Sequence, residues 1–266
     1  MEQDDYIHHI AADAAVVESG QPIVAHGEAQ LGNLRFLCDG KIDGQIWGAG
    51  AALGRHLLAR DTTHGKMLED ERPSVVEIGS GVGIAGLAAA AAGASRVVLT
   101  DLQSVVERLD HSIALNRSAT VGCEVLAMKL PWGDEDAAQR VAEDGCDLVL
   151  AADVLYSAEP SVHTALRDSM ITLARPRDAL ILHVYEERWP DIIRQWRDGL
   201  LLDPAEGPAQ ADGHGSGTCS DGRAARSGGS GLRLVREGVL EAPPEIRDGR
   251  RLVIEELRCT DEALYS

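Results

Sequence analysis

Aromatic and basic side chains are scarce in this sequence of 266 residues. Phe, Trp and Tyr together make up 3% of it, and 25 Lys and Arg stand against 43 Asp and Glu. The formal net charge of −18 at pH 7 repels phosphate backbones, and the basic residues form no stripe. We therefore expect no nucleic-acid partner. An acidic surface favours a partner with exposed Lys and Arg, although acidity also serves solubility alone.

Paired cysteines and long apolar runs are also missing. The five cysteines are an odd number without a Cys-x-x-Cys pair, which indicates reduced thiols, and the nine His show no metal spacing. The most apolar stretch, residues 84–94, is far shorter than the roughly 20 residues of a membrane helix. The acidic start at residues 1–5 precedes no apolar run and predicts no signal peptide. We expect a protein of the cytoplasm or nucleus without a metal or a membrane span.

From residue 74 onward, short aliphatic runs alternate with helical stretches, which predicts an α/β fold. The runs lack a period of two, as expected of strands covered by helices on both faces, and alternation with helices implies a parallel sheet. The predicted strands are residues 74–78, 96–100, 124–129, 146–151, 178–185, 232–235 and 252–257. The predicted helices are residues 84–92, 105–116, 161–174 and 190–200.

The part before residue 74 is less regular. Pro22–Ala25 and Leu34–Cys38 are predicted as short strands, and residues 46–60 as a helix. That helix has a shared apolar face of Ile46, Ala49, Leu53 and Leu57.

Two composition changes predict the domain organisation. Residues 1–40 are interpreted as an N-terminal extension, and residues 41–266 as one domain. Within the domain, residues 204–231 are rich in Gly, Ser and Pro and break the α/β rhythm, which predicts a flexible insertion.

A glycine-rich loop follows the first strand of the series. Gly79, Gly81 and Gly83 lie between strand and helix, where glycines allow a sharp turn and the close approach of a ligand. The spacing from Gly81 through Gly83 to Gly86 also matches the dinucleotide fingerprint. Glu77 distinguishes the two cases, because a carboxylate suits a cofactor with a sulfonium and an ammonium but not a pyrophosphate. The loop predicts S-adenosylmethionine, with a nicotinamide or flavin dinucleotide as the alternative.

Further candidate residues follow the next three strands. Asp101 ends the second strand, where an acid can accept hydrogen bonds from both ribose hydroxyls of an adenosine, or can cap the next helix. Trp132 follows the third strand and can pack on an adenine or belong to the core. Asp153 and Tyr156 follow the fourth strand, across the switch point where open α/β sheets bind ligands. We expect them to face the reacting group; the alternative is that Asp153 caps the next helix and Tyr156 packs.

With these residues placed, the chain resembles the family 16 protein-lysine methyltransferases, a branch of the seven-β-strand methyltransferases. The resemblance extends over about residues 40 to 200. Its motifs, in order, are Ile46-Trp47, Glu77-Ile78-Gly79-Ser80-Gly81-Val82-Gly83, Leu130-Pro131-Trp132-Gly133 and Asp153-Val154-Leu155-Tyr156. The sequence departs from the family at Gly48-Ala49-Gly50, where an acidic residue is frequent, and in the insertion.

The resemblance implies a Rossmann-like, mostly parallel sheet of seven strands in the order 3-2-1-4-5-7-6, with strand seven antiparallel. It implies a monomer that uses S-adenosylmethionine to methylate an exposed lysine of a protein substrate. The resemblance adds further cofactor contacts to the candidate Glu77. They are Trp47, Gly79, Ser80, Gly81, Asp101, Trp132 and Ala152.

The expected reaction is a direct transfer of a methyl group to a lysine amine. The ammonium enters near Asp153 and loses its proton to water, and Tyr156 orients the lone pair together with a backbone carbonyl near Ala152. A carboxylate is too weak a base to deprotonate lysine efficiently. Three alternatives stay open: a methyltransferase for histidine, arginine or a small amine, a nicotinamide-dependent oxidoreductase, and a non-catalytic binding module.

Overall fold

The computed structural model describes residues 22–202, 231–241 and 251–260. Residues 1–21 of the predicted extension lie outside this range, as does all of the predicted insertion except Gly231. The predictions for those segments, and the domain boundary at residue 40, stay predictions.

An antiparallel hairpin of β1 (His26–Leu31) and β2 (Leu34–Asp39) precedes the main sheet. The strand predicted at Leu34–Cys38 is thereby confirmed. The strand predicted at Pro22–Ala25 is wrong, because only Val24 forms a single bridge there, to Ile46. The first strand lies later in the chain than predicted, at His26–Leu31. Its position follows from the hairpin, in which Leu31 pairs with Leu34 across a two-residue turn that begins at Gly32, with φ +58°.

Seven α-helices are present in the described residues. They are α1 (Gly48–Leu58), α2 (Thr63–Glu71), α3 (Ile84–Ala92), α4 (Gln103–Leu115), α5 (Glu135–Ala142), α6 (Pro160–Ala174) and α7 (Pro190–Asp198). Sequence analysis did not predict α2 and α5. Three of the eight residues of α5 are alanine, and its start is fixed by Asp134, whose carboxylate accepts a hydrogen bond from the N–H of Ala137 at 2.9 Å.

The main sheet has eight strands. They are β3 (Ser74–Ile78), β4 (Arg96–Asp101), β5 (Glu124–Lys129), β6 (Leu148–Ala152), β7 (Leu180–Glu186), β8 (Leu201–Leu202), β9 (Leu232–Leu240) and β10 (Leu252–Cys259). Their order is β5-β4-β3-β6-β7-β10-β9-β8. This corresponds to the predicted order 3-2-1-4-5-7-6, with the two-residue β8 as an extra edge strand. As predicted, the last strand β10 is antiparallel to both of its neighbours, β7 and β9.

Helices cover both faces of this sheet. Helices α1 to α4 contribute to one hydrophobic cluster, which includes the predicted apolar face of α1, and α5 to α7 contribute to the other. The hairpin joins the first cluster through Leu34 and Phe36, which are almost fully buried. Asn116, just after α4, holds the hairpin by accepting a hydrogen bond from the N–H of Arg35 and donating one to its carbonyl, both at 2.8 Å.

The order in which strands are added changes side between β3 and β6. From β3 the chain adds β4 and β5 on one side, and from β6 it adds β7 on the other. The parallel strands β3, β4, β6 and β7 end at the same edge. In open α/β sheets, ligands bind at this edge, beside the point where the strand order changes side. Among the residues described, no helix is long and apolar enough to span a membrane.

Candidate active site

The glycine loop after β3 has a left-handed backbone at Gly79, Gly81 and Gly83, with φ of +66°, +55° and +80°. Its packing is close on both sides. A Cβ atom on Gly79 would lie 2.9 Å from the side chain of Val154, and one on Gly81 would lie 3.1 Å from the carbonyl oxygen of Asp43. The loop therefore needs glycine both for its conformation and for its neighbours.

Ser80 joins this loop to β4. Its N–H donates to the carbonyl of Thr100 at 3.0 Å, and its hydroxyl oxygen accepts from the N–H of Thr100 at the same distance. The Ser80 hydroxyl also donates to the carbonyl of Glu77 at 3.1 Å. The structure thus shows Ser80 as a buried link between strand ends. Its predicted contact with the cofactor stays a prediction.

Asp101 lies beside the loop, at the end of β4. Its Oδ2 accepts a hydrogen bond from the N–H of Gly81 at 2.8 Å, and its Oδ1 accepts one from Leu102 at 2.7 Å. Burial raises the pKa of Asp101 to about 6, with a contribution from the negative charge of Asp43. The N-cap of α4 is Leu102 and receives no side-chain hydrogen bond, so the interpretation of Asp101 as the cap of that helix is wrong.

Glu77 is buried beneath the loop, with 2% of its surface exposed. Its Oε2 accepts a hydrogen bond from the N–H of Gly86, in the first turn of α3, at 3.0 Å. Burial raises the pKa of Glu77, with a smaller contribution from the charge of Asp101, to about 8 in total. Glu77 therefore fixes the start of α3, while its predicted contact with the cofactor stays a prediction.

Trp132 and Tyr156 pack against each other, with ring centroids 5.7 Å apart. Trp132 is buried, and its Cζ2 atom would lie 3.2 Å from a Cβ atom on Gly79. Burial and the charge of Asp101 raise the pKa of Tyr156. These contacts place Tyr156 on the side of Trp132 and Asp101, next to the predicted adenosine position. Its predicted role in orienting the acceptor stays a prediction.

Asp153 begins the other side of the site and has a left-handed backbone, with φ +57°, which is uncommon for a residue other than glycine. Its Oδ2 accepts a hydrogen bond from the N–H of Ala49, in the first turn of α1, at 3.2 Å. The alternative in which Asp153 caps the next helix is wrong, because the N-cap of α6 is Glu159. Asp153 instead binds the start of a helix about a hundred residues earlier.

Sequence analysis missed Arg188, which follows β7. Its guanidinium forms an ion pair with Asp153 Oδ1, and the two side chains are only 4% and 7% exposed. The same guanidinium lies 5.3 Å from the ring centroid of Trp47 and 4.9 Å from that of Trp189. The position of Arg188 beyond a predicted strand, at the ligand-binding edge, was the only signal available in the sequence.

All ten predicted site residues lie at or beside this edge of the sheet. Ala152 ends β6 directly before Asp153, and Trp47 precedes α1, where its indole N–H donates to the carbonyl of Ile42 at 3.0 Å. The site therefore has a cofactor side, formed by the glycine loop with Asp101 and Trp132, and an acceptor side around Asp153.

Residues 36–196 match the model of a protein family described as lysine methyltransferase. The chain belongs to this family. It is 32% identical over 113 residues to the mouse protein-lysine methyltransferase METTL21E, in a match that covers 41% of this chain and 43% of that protein. It is 33% identical over 128 residues to the zebrafish protein N-lysine methyltransferase METTL21A, covering 46% and 56%. The chain thus spans about half the length of these curated relatives.

Solved structures show the same fold. A Streptococcus mutans protein, described as a candidate SAM-dependent methyltransferase, superposes with a TM-score of 0.50 over 90% of this chain and 57% of its own, at 12% identity. A second structure, of SMU.776 in complex with SAH, gives a TM-score of 0.50 over 88% of this chain and 56% of its own, also at 12% identity. This likeness confirms the predicted class of fold.

Proposed function

We propose that this protein is an S-adenosylmethionine-dependent methyltransferase that modifies a lysine side chain of a protein substrate. One observation carries the proposal: the glycine loop, Asp101 and Asp153 lie at the same edge of the sheet, beside the point where the strand order changes side. Membership of the lysine methyltransferase family supports the same assignment.

The charges beside the loop fit the cofactor. Glu77 and Asp101 are carboxyl groups whose pKa is raised by burial, and each is raised further by a neighbouring acid. A ligand with a sulfonium and an ammonium relieves this repulsion, whereas the pyrophosphate of a dinucleotide adds to it. The fit therefore favours S-adenosylmethionine over a nicotinamide cofactor.

The cofactor side of the site is suited to an adenosine. Each oxygen of Asp101 accepts one backbone hydrogen bond, and an ionised carboxylate has room for about four, so both can also accept from ribose hydroxyls. Trp132 offers an apolar wall beside Gly79 for the base. The loop between them is held by Ser80 through two hydrogen bonds to the backbone of Thr100.

The chemistry on the acceptor side rests on positioning. When bound, S-adenosylmethionine supplies an electrophilic methyl group on its sulfonium. The protein holds the acceptor amine near Asp153 and Ala152, where the ammonium gives its proton to water. In the transfer the nitrogen–carbon bond forms as the carbon–sulfur bond breaks, and the electron pair of that bond stays on sulfur. The ion pair of Asp153 with Arg188 keeps the carboxylate in place throughout.

A protein substrate is supported by the relatives, since METTL21E and METTL21A are both named as protein-lysine methyltransferases. The net charge of −18 favours substrates with a basic surface around the acceptor. The identity of the substrate follows from the experiment below.

The test is transfer of radiolabelled methyl groups from S-adenosylmethionine to the proteins of a cell lysate, followed by hydrolysis and separation of the amino acids. We expect label in methylated lysine, and less of it with the variant Asp101→Asn when the cofactor is kept below saturation. Label in methylhistidine or methylarginine would support the second candidate, a methyltransferase for another nucleophile. No label in any protein would contradict the proposal.

A further inference from the structure

Arg188 has an unusual environment for a cation. Its side chain is 4% exposed, and its guanidinium lies over two indole rings, with centroids 5.3 Å away at Trp47 and 4.9 Å away at Trp189. One carboxylate, Asp153, forms an ion pair with it, and a second, Glu186, lies with Oε2 3.7 Å from the guanidinium Nε. Two aromatic rings and two carboxylates thus surround this cation, a combination that favours a guanidinium.

This cation joins two segments that are far apart in the chain. Trp47, a predicted cofactor contact, precedes α1, and its indole N–H donates to the carbonyl of Ile42 at 3.0 Å. Asp153 follows β6 on the acceptor side and binds the first turn of α1 through Ala49. Arg188 contacts both Trp47 and Asp153, so a movement of either one is transmitted to the other.

A cation is required at this place for electrostatic reasons. The Asp153 side chain is 7% exposed, and a carboxylate so buried is costly unless a partner charge and hydrogen bonds compensate for it. The planar guanidinium can stack on an indole and bond to a carboxylate at the same time, which the ammonium of lysine cannot do equally well.

We propose that Arg188 is a positioning residue for methyl transfer, which couples the indole of Trp47, a predicted cofactor contact, to the carboxylate of Asp153 on the acceptor side. The inference rests on the proposed function and adds a residue to it. Arg188 does not touch the reacting atoms; it acts through its two neighbours. Its removal therefore weakens cofactor binding through Trp47 and slows turnover through Asp153.

Chemical rescue tests this inference. Arg188→Ala leaves a gap that has the shape of a guanidinium, bounded by two indoles and a carboxylate. We expect turnover per folded molecule to fall about a hundredfold, as misplaced catalytic groups typically cause. Guanidinium chloride, well below the concentrations that unfold the protein, is expected to restore at least about a tenth of the lost rate. Urea, which has the same shape but no charge, is expected to restore nothing.

The matched control is Arg251→Ala. Arg251 is half exposed and pairs with Glu187 and Glu237 at 3.3 and 3.4 Å, so its loss leaves no closed site and its activity does not respond to guanidinium. If Arg188→Ala does not fold, Arg188→Lys replaces it; that variant keeps the charge without the planar stack, and we expect an intermediate rate.

A second readout does not depend on methyl transfer. The affinity for S-adenosylhomocysteine, measured by calorimetry, is expected to weaken several-fold in Arg188→Ala and to recover with guanidinium but not with urea. Failure of the wild-type protein to bind this ligand or to methylate any protein would overturn the proposed function, and the inference with it. If the wild type is active, full activity of the Arg188 variants, or equal effects of guanidinium and urea, overturns the inference alone.

Discussion

Two buried glutamates in this protein have opposite electrostatic surroundings. Glu77, under the glycine loop, is 2% exposed, accepts a backbone hydrogen bond from Gly86, and has its pKa raised to about 8 by burial and by Asp101. Glu255, on β10, is fully buried on the face of the sheet that packs against α7. Burial acts to raise the pKa of Glu255 too, but hydrogen bonds and charge from its neighbours, chiefly His183, hold it below the ordinary value.

The difference lies in the donors around each carboxylate. Glu255 Oε2 lies 3.0 Å from His183 Nδ1 and accepts from the indole N–H of Trp196 at 3.0 Å, while Oε1 accepts from the hydroxyl of Tyr185 at 2.9 Å. Arg197 adds a positive charge 3.4 Å from Oε1. Glu255 is thus compensated within the scaffold, whereas Glu77 is compensated poorly. A site for a cationic cofactor is expected to show such under-compensation before its ligand binds.

The largest expected effect is on stability, at Glu255. Glu255→Ala leaves the buried donors of His183, Tyr185 and Trp196 without their acceptor. We expect the free energy of unfolding to fall by about 3–5 kcal/mol. Denaturant unfolding measures it, and the matched control is Glu256→Gln on the neighbouring residue, whose side chain is 19% exposed. Equal losses of stability in the two variants would contradict the view that Glu255 is held by its buried donors.

Glu77→Gln tests the other glutamate of the comparison, and here we expect the free energy of unfolding to increase. The pKa of Glu77 is higher in the folded protein than in the unfolded chain, so folding stability without ligand decreases as pH rises from about 4.5 towards about 8. Gln has no charge to bury. We expect the variant to be within about 1 kcal/mol of the wild type near pH 5 and to exceed it by about 4 kcal/mol near pH 8. A difference that does not change with pH would refute this account of Glu77.

The residues of the candidate site could be predicted from the sequence better than their distant partners. Glu77, Asp101 and Asp153 each lie at or next to the end of a strand that short aliphatic runs identify locally. Parallel strands bring these ends together at one edge. The partners of Asp153 and Glu255 are distant in sequence: Ala49 binds Asp153, and His183 pairs with Glu255 across β7 and β10. No local pattern encodes such contacts.

Helix α5 escaped prediction for a different reason. It has only eight residues, and three of the four that it buries are alanines, which indicate a core-facing helix less clearly than large apolar residues do. Arg188 escaped as well, because a charged residue after a strand is ordinarily a solvated one. Only its contacts with the rings of Trp47 and Trp189 and its ion pair with Asp153 distinguish it.

Asp153→Ala tests the acceptor side. We expect turnover to fall about a hundredfold, because the group that fixes the acceptor and the start of α1 is lost. The affinity for S-adenosylhomocysteine is expected to change much less. Steady-state kinetics and calorimetry on the same preparation separate the two effects, with Asp153→Asn as the variant of nearly equal shape. Unchanged turnover would show that Asp153 has no part in the reaction.

The smallest expected effect is a pH dependence of cofactor binding. The pKa of Asp101 is raised to about 6 without ligand, and ribose hydroxyls bind its ionised form, so affinity is lost as pH falls through about 6. Calorimetric titration with S-adenosylhomocysteine from pH 5 to pH 8 measures it. We expect Asp101→Asn to bind about tenfold more weakly near pH 8 and to show a flatter profile. A wild-type affinity that is constant over this range would contradict the role of Asp101.

The most direct test of the central claim, a site built for S-adenosylmethionine and not for a dinucleotide, is calorimetry of the wild-type protein with S-adenosylhomocysteine, the product left after methyl transfer, and with NADH at pH 7.5. The account predicts saturable binding of S-adenosylhomocysteine and no measurable binding of NADH. Binding of NADH in the absence of binding of S-adenosylhomocysteine would contradict it.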